Sequence, residues 1–167
     1  LIILYDEMTT SYIGKKSLGE LFSTLTRKLA RFMDERTPEG YIFRTDLRLR
    51  PDPGATPLAI SIGAAETYYQ SIGQSWERAA MIKARVVAGD HKSGIKFLER
   101  LKPFIWRRNL DYTAIADIHA IKARIHEYHQ HKEITVNGHD IKLSQGGIRE
   151  IEFQAQIPQL IYGGRDW

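Results

Sequence analysis

An α+β fold is the class this sequence predicts, with a mixed-sheet part over residues 1–90 and a helical part over residues 91–167. Three observations carry it. Residues 41–50 alternate apolar and polar side chains, the period of a strand. Residues 17–35 repeat apolar side chains at helical spacing behind a capping signature. Beyond residue 90 helical spacing prevails, and strands followed by helices mark α+β.

Taken in order, Leu1-Ile2-Ile3-Leu4-Tyr5 is an apolar run that reads as the end of a buried strand. It has neither an initiator Met nor a basic flank, so it does not resemble a signal peptide. The chain is expected to be a fragment cut inside a domain. Ser17 and Glu20 form the Ser-x-x-Glu capping box of the next helix. Leu18, Leu21, Phe22, Leu25, Leu29, Phe32 and Met33 fall on one stripe of it. Thr37-Pro38-Glu39-Gly40 then turns the chain into a strand over 41–50. Three prolines make 51–57 a loop. A short extended piece at 58–62 leads to helices at 64–72 and 75–82. Further helices are predicted over 92–107, 113–130 and 148–161, the last with Pro158 placed awkwardly inside it. Asn137-Gly138 predicts a small hairpin over 134–143.

The length of 167 residues suits about one domain, with room for a sizeable core. Hydrophobic residues at 43% and charged residues at 26% are ordinary for a soluble globular chain. A formal charge of +4 permits a phosphate-bearing partner without requiring nucleic acid. The absence of cysteine excludes disulfides, thiolate metal sites and cysteine nucleophiles, and fits a reducing compartment. No apolar run reaches the length of a membrane span.

The chemistry concentrates on the predicted strand. Successive strand side chains point to opposite faces, so Arg44, Asp46, Arg48 and Arg50 share one face. A carboxylate among three guanidiniums suits a cleft where a metal-binding acid sits beside groups that hold phosphate. A solvated edge strand, charged to discourage pairing, is the other reading. Lys83 and Arg85 share a face if 81–87 is extended, and then add positive charge to the same cleft. The competing reading makes them solvated surface, with Trp76 packed as core. His126, His129 and His131 lack the spacing of zinc peptidases and read as exposed helix-end residues. Gly146-Gly147 precedes a helix, where free backbone N–H groups can bind an anion. Glu150 and Glu152, two apart on that helix, diverge and are not a paired dyad. No Ser/His/Asp set and no interleaving of aromatic with basic residues appears.

Several segments together resemble the bacterial glutamine synthetase adenylyltransferase/deadenylylase family. They are Phe43-Arg44-Thr45-Asp46-Leu47-Arg48-Leu49-Arg50-Pro51, then Trp76-Glu77-Arg78-Ala79-Ala80-Met81-Ile82-Lys83-Ala84-Arg85 with Gly89-Asp90. Asp140-Ile141-Lys142-Leu143 and Gly146-Gly147-Ile148-Arg149-Glu150-Ile151-Glu152-Phe153 complete the set. The family carries two similar nucleotidyltransferase domains, one removing AMP from glutamine synthetase by phosphorolysis and one attaching it. Gly147 to Phe153 and Pro103-Phe104-Ile105-Trp106-Arg107-Arg108, with Asp111-Tyr112 after it, are similar to the removing half.

The resemblance implies a polymerase-beta-like nucleotidyltransferase fold, in which three carboxylates hold Mg²⁺. Asp46 matches the third. The other two belong to an Asp-x-Asp element that should directly precede Leu1, so the chain alone is expected to be inactive. Pro158 is a lesser departure, in a helix the family keeps apolar. The resemblance further implies catalytic roles for Asp46, Arg48 and Arg50, with Arg44, Lys83 and Arg85 as nucleotide- or phosphate-binding candidates. ATP or ADP and orthophosphate are the implied substrates or products. Glutamine synthetase and its PII signal protein are the implied partners, in the bacterial cytoplasm, with no nucleic acid and no membrane.

Overall fold

The computed structural model describes residues 1–8, 11–107, 141–142 and 146–164. The expected helix at 113–130, most of the hairpin at 134–143, and His126, His129 and His131 lie outside the described residues. The chain is mixed α/β and divides into two compact units, Leu1–Gly73 and Gln74–Trp167. Asp90, the expected boundary, lies inside the second unit.

The first unit is built on two short strands, β1 (Ile3–Tyr5) and β2 (Ala59–Ser61). They pair in parallel, with Ile3 opposite Ala59 and Tyr5 opposite Ser61. Parallel strands cannot be joined by a tight hairpin and need a crossover. Helix α1 (Leu18–Asp34) lies in that crossover and packs on β2. Its capping box forms as the sequence predicts. The Glu20 N–H donates to Ser17 Oγ at 3.2 Å, and the Ser17 N–H donates to Glu20 Oε2 at 3.0 Å. Tyr5 of β1 stacks on Phe22 of α1 with ring centroids 4.8 Å apart.

The apolar stripe of α1 is only partly covered. Leu18, Leu21, Phe22 and Met33 are half-buried, whereas Leu25, Leu29 and Phe32 are exposed. A two-stranded sheet is narrower than the face the helix presents, and this is the physical reason. Helix α2 (Ile62–Ser71) follows β2 without a loop, because Ser61 ends the strand and caps the helix. Its Oγ accepts the Ala64 N–H at 3.3 Å. Ala59, Ile60, Ala65 and Tyr69, with Pro51, are buried apolar residues of this unit.

The second unit contains α3 (Ser75–Met81), α4 (His91–Ile105) and α5 (Ile148–Tyr162). Asp90 caps α4 by accepting the Lys92 and Ser93 N–H groups. Among its described residues, Phe97, Leu101, Phe104, Ile105, Met81 and Leu160 are the buried apolar side chains. Helix α5 continues through Pro158, which has no N–H to donate to the Gln154 carbonyl.

The strand predicted over 41–50 does not form. Residues 43–47 run without regular structure, and 48–49 turn. The carboxylate of Asp46 draws in the Arg48 N–H two residues on, at 2.9 Å. This side-chain bond competes with a ladder and closes an Asx-type turn. The common face proposed for Arg44, Asp46, Arg48 and Arg50 is therefore absent. The extended run considered for 81–87 is absent too, since α3 ends at Met81 and residues 82–83 turn.

Candidate functional site

Asp46 and Arg48 come together by a route other than a strand. Arg48 Nε donates to both carboxylate oxygens, at 3.0 and 3.1 Å, and Nη2 donates to Oδ2 at 2.6 Å. With the Arg48 backbone N–H on Oδ1, each oxygen of Asp46 accepts two N–H groups. These bonds favour the charged form and hold the carboxyl well below the usual carboxylate range. The same pairing raises the Arg48 guanidinium above its ordinary value. The pair lies at the surface, with side chains 49% and 81% exposed.

Arg50 takes a different position. Its Nη1 donates to the Leu47 carbonyl at 3.0 Å, its Nη2 to Pro53 at 2.7 Å, and its Nε to Pro57 at 3.1 Å. Thr56 offers its carbonyl to two of these nitrogens at 3.4 Å. A loop with prolines at 51, 53 and 57 is rich in carbonyl acceptors and poor in N–H donors. A guanidinium supplies five donors in a fixed fork and redresses the balance. The Thr56 hydroxyl closes the loop by donating to the Pro51 and Asp52 carbonyls. Arg44, two residues before Asp46, is exposed.

Lys83 and Arg85 belong to the second unit. Lys83 Nζ donates to Glu152 Oε1 of α5 at 3.2 Å. Arg85 is exposed in the irregular stretch 84–87. Trp76 is 41% exposed, so the reading that packs it as core is overturned. The charged Glu77 and Arg78 beside it are buried instead. Arg78 Nε donates to the Phe104 carbonyl at 3.0 Å and Nη2 to the Ile105 carbonyl at 3.3 Å. A positive charge at a helix C-terminus meets both unsatisfied carbonyls and the negative end of the dipole. Neighbouring residues gave no sign of this, because the carbonyls lie 26 and 27 residues away.

At the start of α5, the Gly146 N–H donates to Glu150 Oε2 at 2.7 Å. The helix's own carboxylate thus takes one of the donors proposed for an external anion. An open groove of about 300 Å³ is lined by Met81, Ile82, Ile95, Leu98, Ile105 and Trp106, among others, and by none of the predicted site residues.

For a metal ion the described residues do not suffice. No group of three or more His, Asp or Glu gathers among them. Asp46 is the carboxylate the sequence nominated, and both its oxygens are held by N–H donors. No helix among the described residues is long and apolar enough to cross a membrane.

Comparison with known proteins adds the wider context. Residues 119–167 match the GlnD PII-uridylyltransferase family model. A bifunctional glutamine synthetase adenylyltransferase/adenylyl-removing enzyme from Mesorhizobium japonicum is 57% identical over 165 residues, 99% of this chain and 17% of the relative. The protein of that name from Agrobacterium fabrum is 63% identical over 146 residues, 87% of this chain and 15% of the relative. The one from Xanthobacter autotrophicus is 51% identical over 166 residues, 99% of this chain and 17% of the relative. The chain thus spans about a sixth of the length of the curated relatives it matches. The family model for glutamate-ammonia ligase adenylyltransferase matches residues 1–100, more than half of the sequence, and the chain belongs to that family.

Proposed function

We propose that this chain is part of an enzyme that controls glutamine synthetase by reversible adenylylation, in the half that removes AMP from a tyrosine by phosphorolysis. The observation that carries the reading is 57% identity, over 165 residues, to a protein whose name states both directions. The likeness of Gly147 to Phe153 and of Pro103 to Arg108 to the removing half supports the direction. The mixed α/β first unit, with Asp46 after α1, supports a polymerase-beta-like nucleotidyltransferase fold. The proposed partners are glutamine synthetase as target and a PII signal protein as regulator, in the bacterial cytoplasm.

The chemistry is an in-line displacement at phosphorus. An oxygen of orthophosphate bonds to the phosphorus of the AMP ester as the bond to the tyrosine oxygen breaks. ADP forms, and the tyrosine oxygen takes up a proton. Catalysis of this kind is mostly positioning and charge neutralisation. Arg44 and Arg48 are the guanidiniums proposed to orient phosphate oxygens, since the planar fork matches them bidentately. Arg50 organises the turn that carries Asp46 and Arg48. Lys83 and Arg85 remain the nucleotide-binding candidates that the resemblance implies. Mg²⁺ is the proposed cofactor of the whole site, to which the described residues supply Asp46.

The test compares the 167-residue chain with a version extended before Leu1 by the corresponding segment of the Mesorhizobium japonicum relative. Each is given adenylylated glutamine synthetase, Mg²⁺, orthophosphate and the PII protein, and ADP is followed. Phosphate-dependent ADP from the extended protein is expected. AMP transfer from ATP in its place would assign the adenylylating half. Binding of glutamine synthetase without turnover by either protein would establish a noncatalytic role.

A further inference from the structure

Helix α4 carries apolar side chains on two faces, and the fold covers one of them. Phe97, Leu101 and Phe104 are buried in the second unit. Ile95, Leu98, Lys102 and Ile105 follow one another at intervals of three, four and three along a neighbouring face. That face lines the open groove of about 300 Å³, which Met81, Ile82 and Ala84 also line. Ile95 is 51% exposed there. We propose that this groove is an interface with a second copy of the chain, whose own α4 enters it antiparallel about a two-fold axis.

Spacing and charge carry the inference. Intervals of three and four are the seam by which two helices pack, each side chain entering a hole made by four residues of the facing helix. Glu99 and Lys102 line the same groove, and both are exposed. The ion pairs among the described residues join other side chains. A helix face that leaves one charge of each sign unused beside an apolar floor is complementary to itself. In an antiparallel pair centred at the level of Arg100, Ile95 lies beside Ile105 of the second copy. Lys102 enters the hole made there by Ile95, Leu98, Glu99 and Lys102, where its ammonium meets the Glu99 carboxylate. The two-fold repeats each contact in reverse, as an isologous interface requires.

The signs also select the direction. A parallel pair would set Glu99 against Glu99 and Lys102 against Lys102, and like charges so placed are costly. The exposed stripe of α1 lacks this self-complementarity. Its Leu25, Leu29 and Phe32 are flanked by Lys28, and the flanking carboxylate of Glu35 is already held by Arg31 at 3.3 Å.

The test uses the 167-residue chain as its own probe, followed by sedimentation velocity over a range of concentrations. Concentration-dependent dimerisation of the unaltered chain is expected. Lys102→Glu and Glu99→Lys each place like charges across the axis twice, and each should weaken dimerisation by about ten-fold. Mixing the two variants restores opposite charges at both contacts and should recover the association. The double variant carrying both substitutions should recover it too, with folding checked by circular dichroism throughout. An unaltered chain that stays monomeric up to about 1 mM overturns the proposal. Association that survives undiminished in both single variants also overturns it, and moves the contact to another surface such as the α1 stripe. Single variants that are weakened but not rescued by mixing overturn it as well, because the loss is then not one of pairing.

Discussion

Asp46 and Arg50 are the two side chains whose partners most constrain the candidate site. Asp46 is held below the ordinary carboxylate range, chiefly by its side-chain bonds to Arg48. A group whose folded value is depressed adds stability above its unfolded value and loses it as pH falls through the folded value. The pair is therefore expected to persist from neutral pH to below about pH 4. A carboxyl-carbon titration by NMR checks this, and an ordinary midpoint near 4 would contradict the geometry. Arg50 makes a different prediction. Arg50→Ala removes donors from a loop that has few, and is expected to cost roughly 2 kcal/mol in urea unfolding. Arg50→Lys keeps the charge but not the fork, and should recover less than half of that loss. The sequence placed these residues together but misassigned their geometry. Alternation over 41–50 looks like a strand, yet Asp46 bonds to the chain two residues on and Arg50 gathers carbonyls up to seven residues on.

Among the elements, α1 was the most legible because its determinants are local. The capping box spans three residues, and both of its bonds form. Ser17→Ala should cost about 1 kcal/mol of stability, measured by thermal unfolding, with Ser17→Asp close to neutral. Helices α2, α3 and α4 were legible for the same reason, and their observed bounds lie within a residue or two of the spacing. The role of α3 was hidden. Its Glu77 and Arg78 carry no local sign of burial, and the carbonyls at the end of α4 account for two of the bonds Arg78 makes there. Pattern within a segment says nothing about a partner two dozen residues away.

For the whole molecule, the sequence promised more sheet than the described residues contain. The strand over 41–50 is lost, and the parallel pair β1–β2 is what the described residues retain. The consequence falls on α1, whose Leu25, Leu29 and Phe32 are 48%, 46% and 73% exposed. Neighbouring exposed apolar side chains of this size bind apolar probes and promote association. Replacing the three with Gln should lower binding of a fluorescent apolar dye and reduce self-association in sedimentation. The melting temperature should hardly change. A large fall in melting temperature would show that the stripe is packed in solution.

The Arg78 contact has a dynamic consequence. Backbone amides exchange with solvent by local opening, in cooperative units that often comprise whole elements. The last turn of α4 cannot fray alone, because fraying strips a buried guanidinium of the Phe104 and Ile105 carbonyls. Helix α3 and the end of α4 therefore form one exchange unit. Hydrogen exchange at the end of α4 is therefore expected to follow the opening of α3, a seven-residue helix too short to hold itself closed.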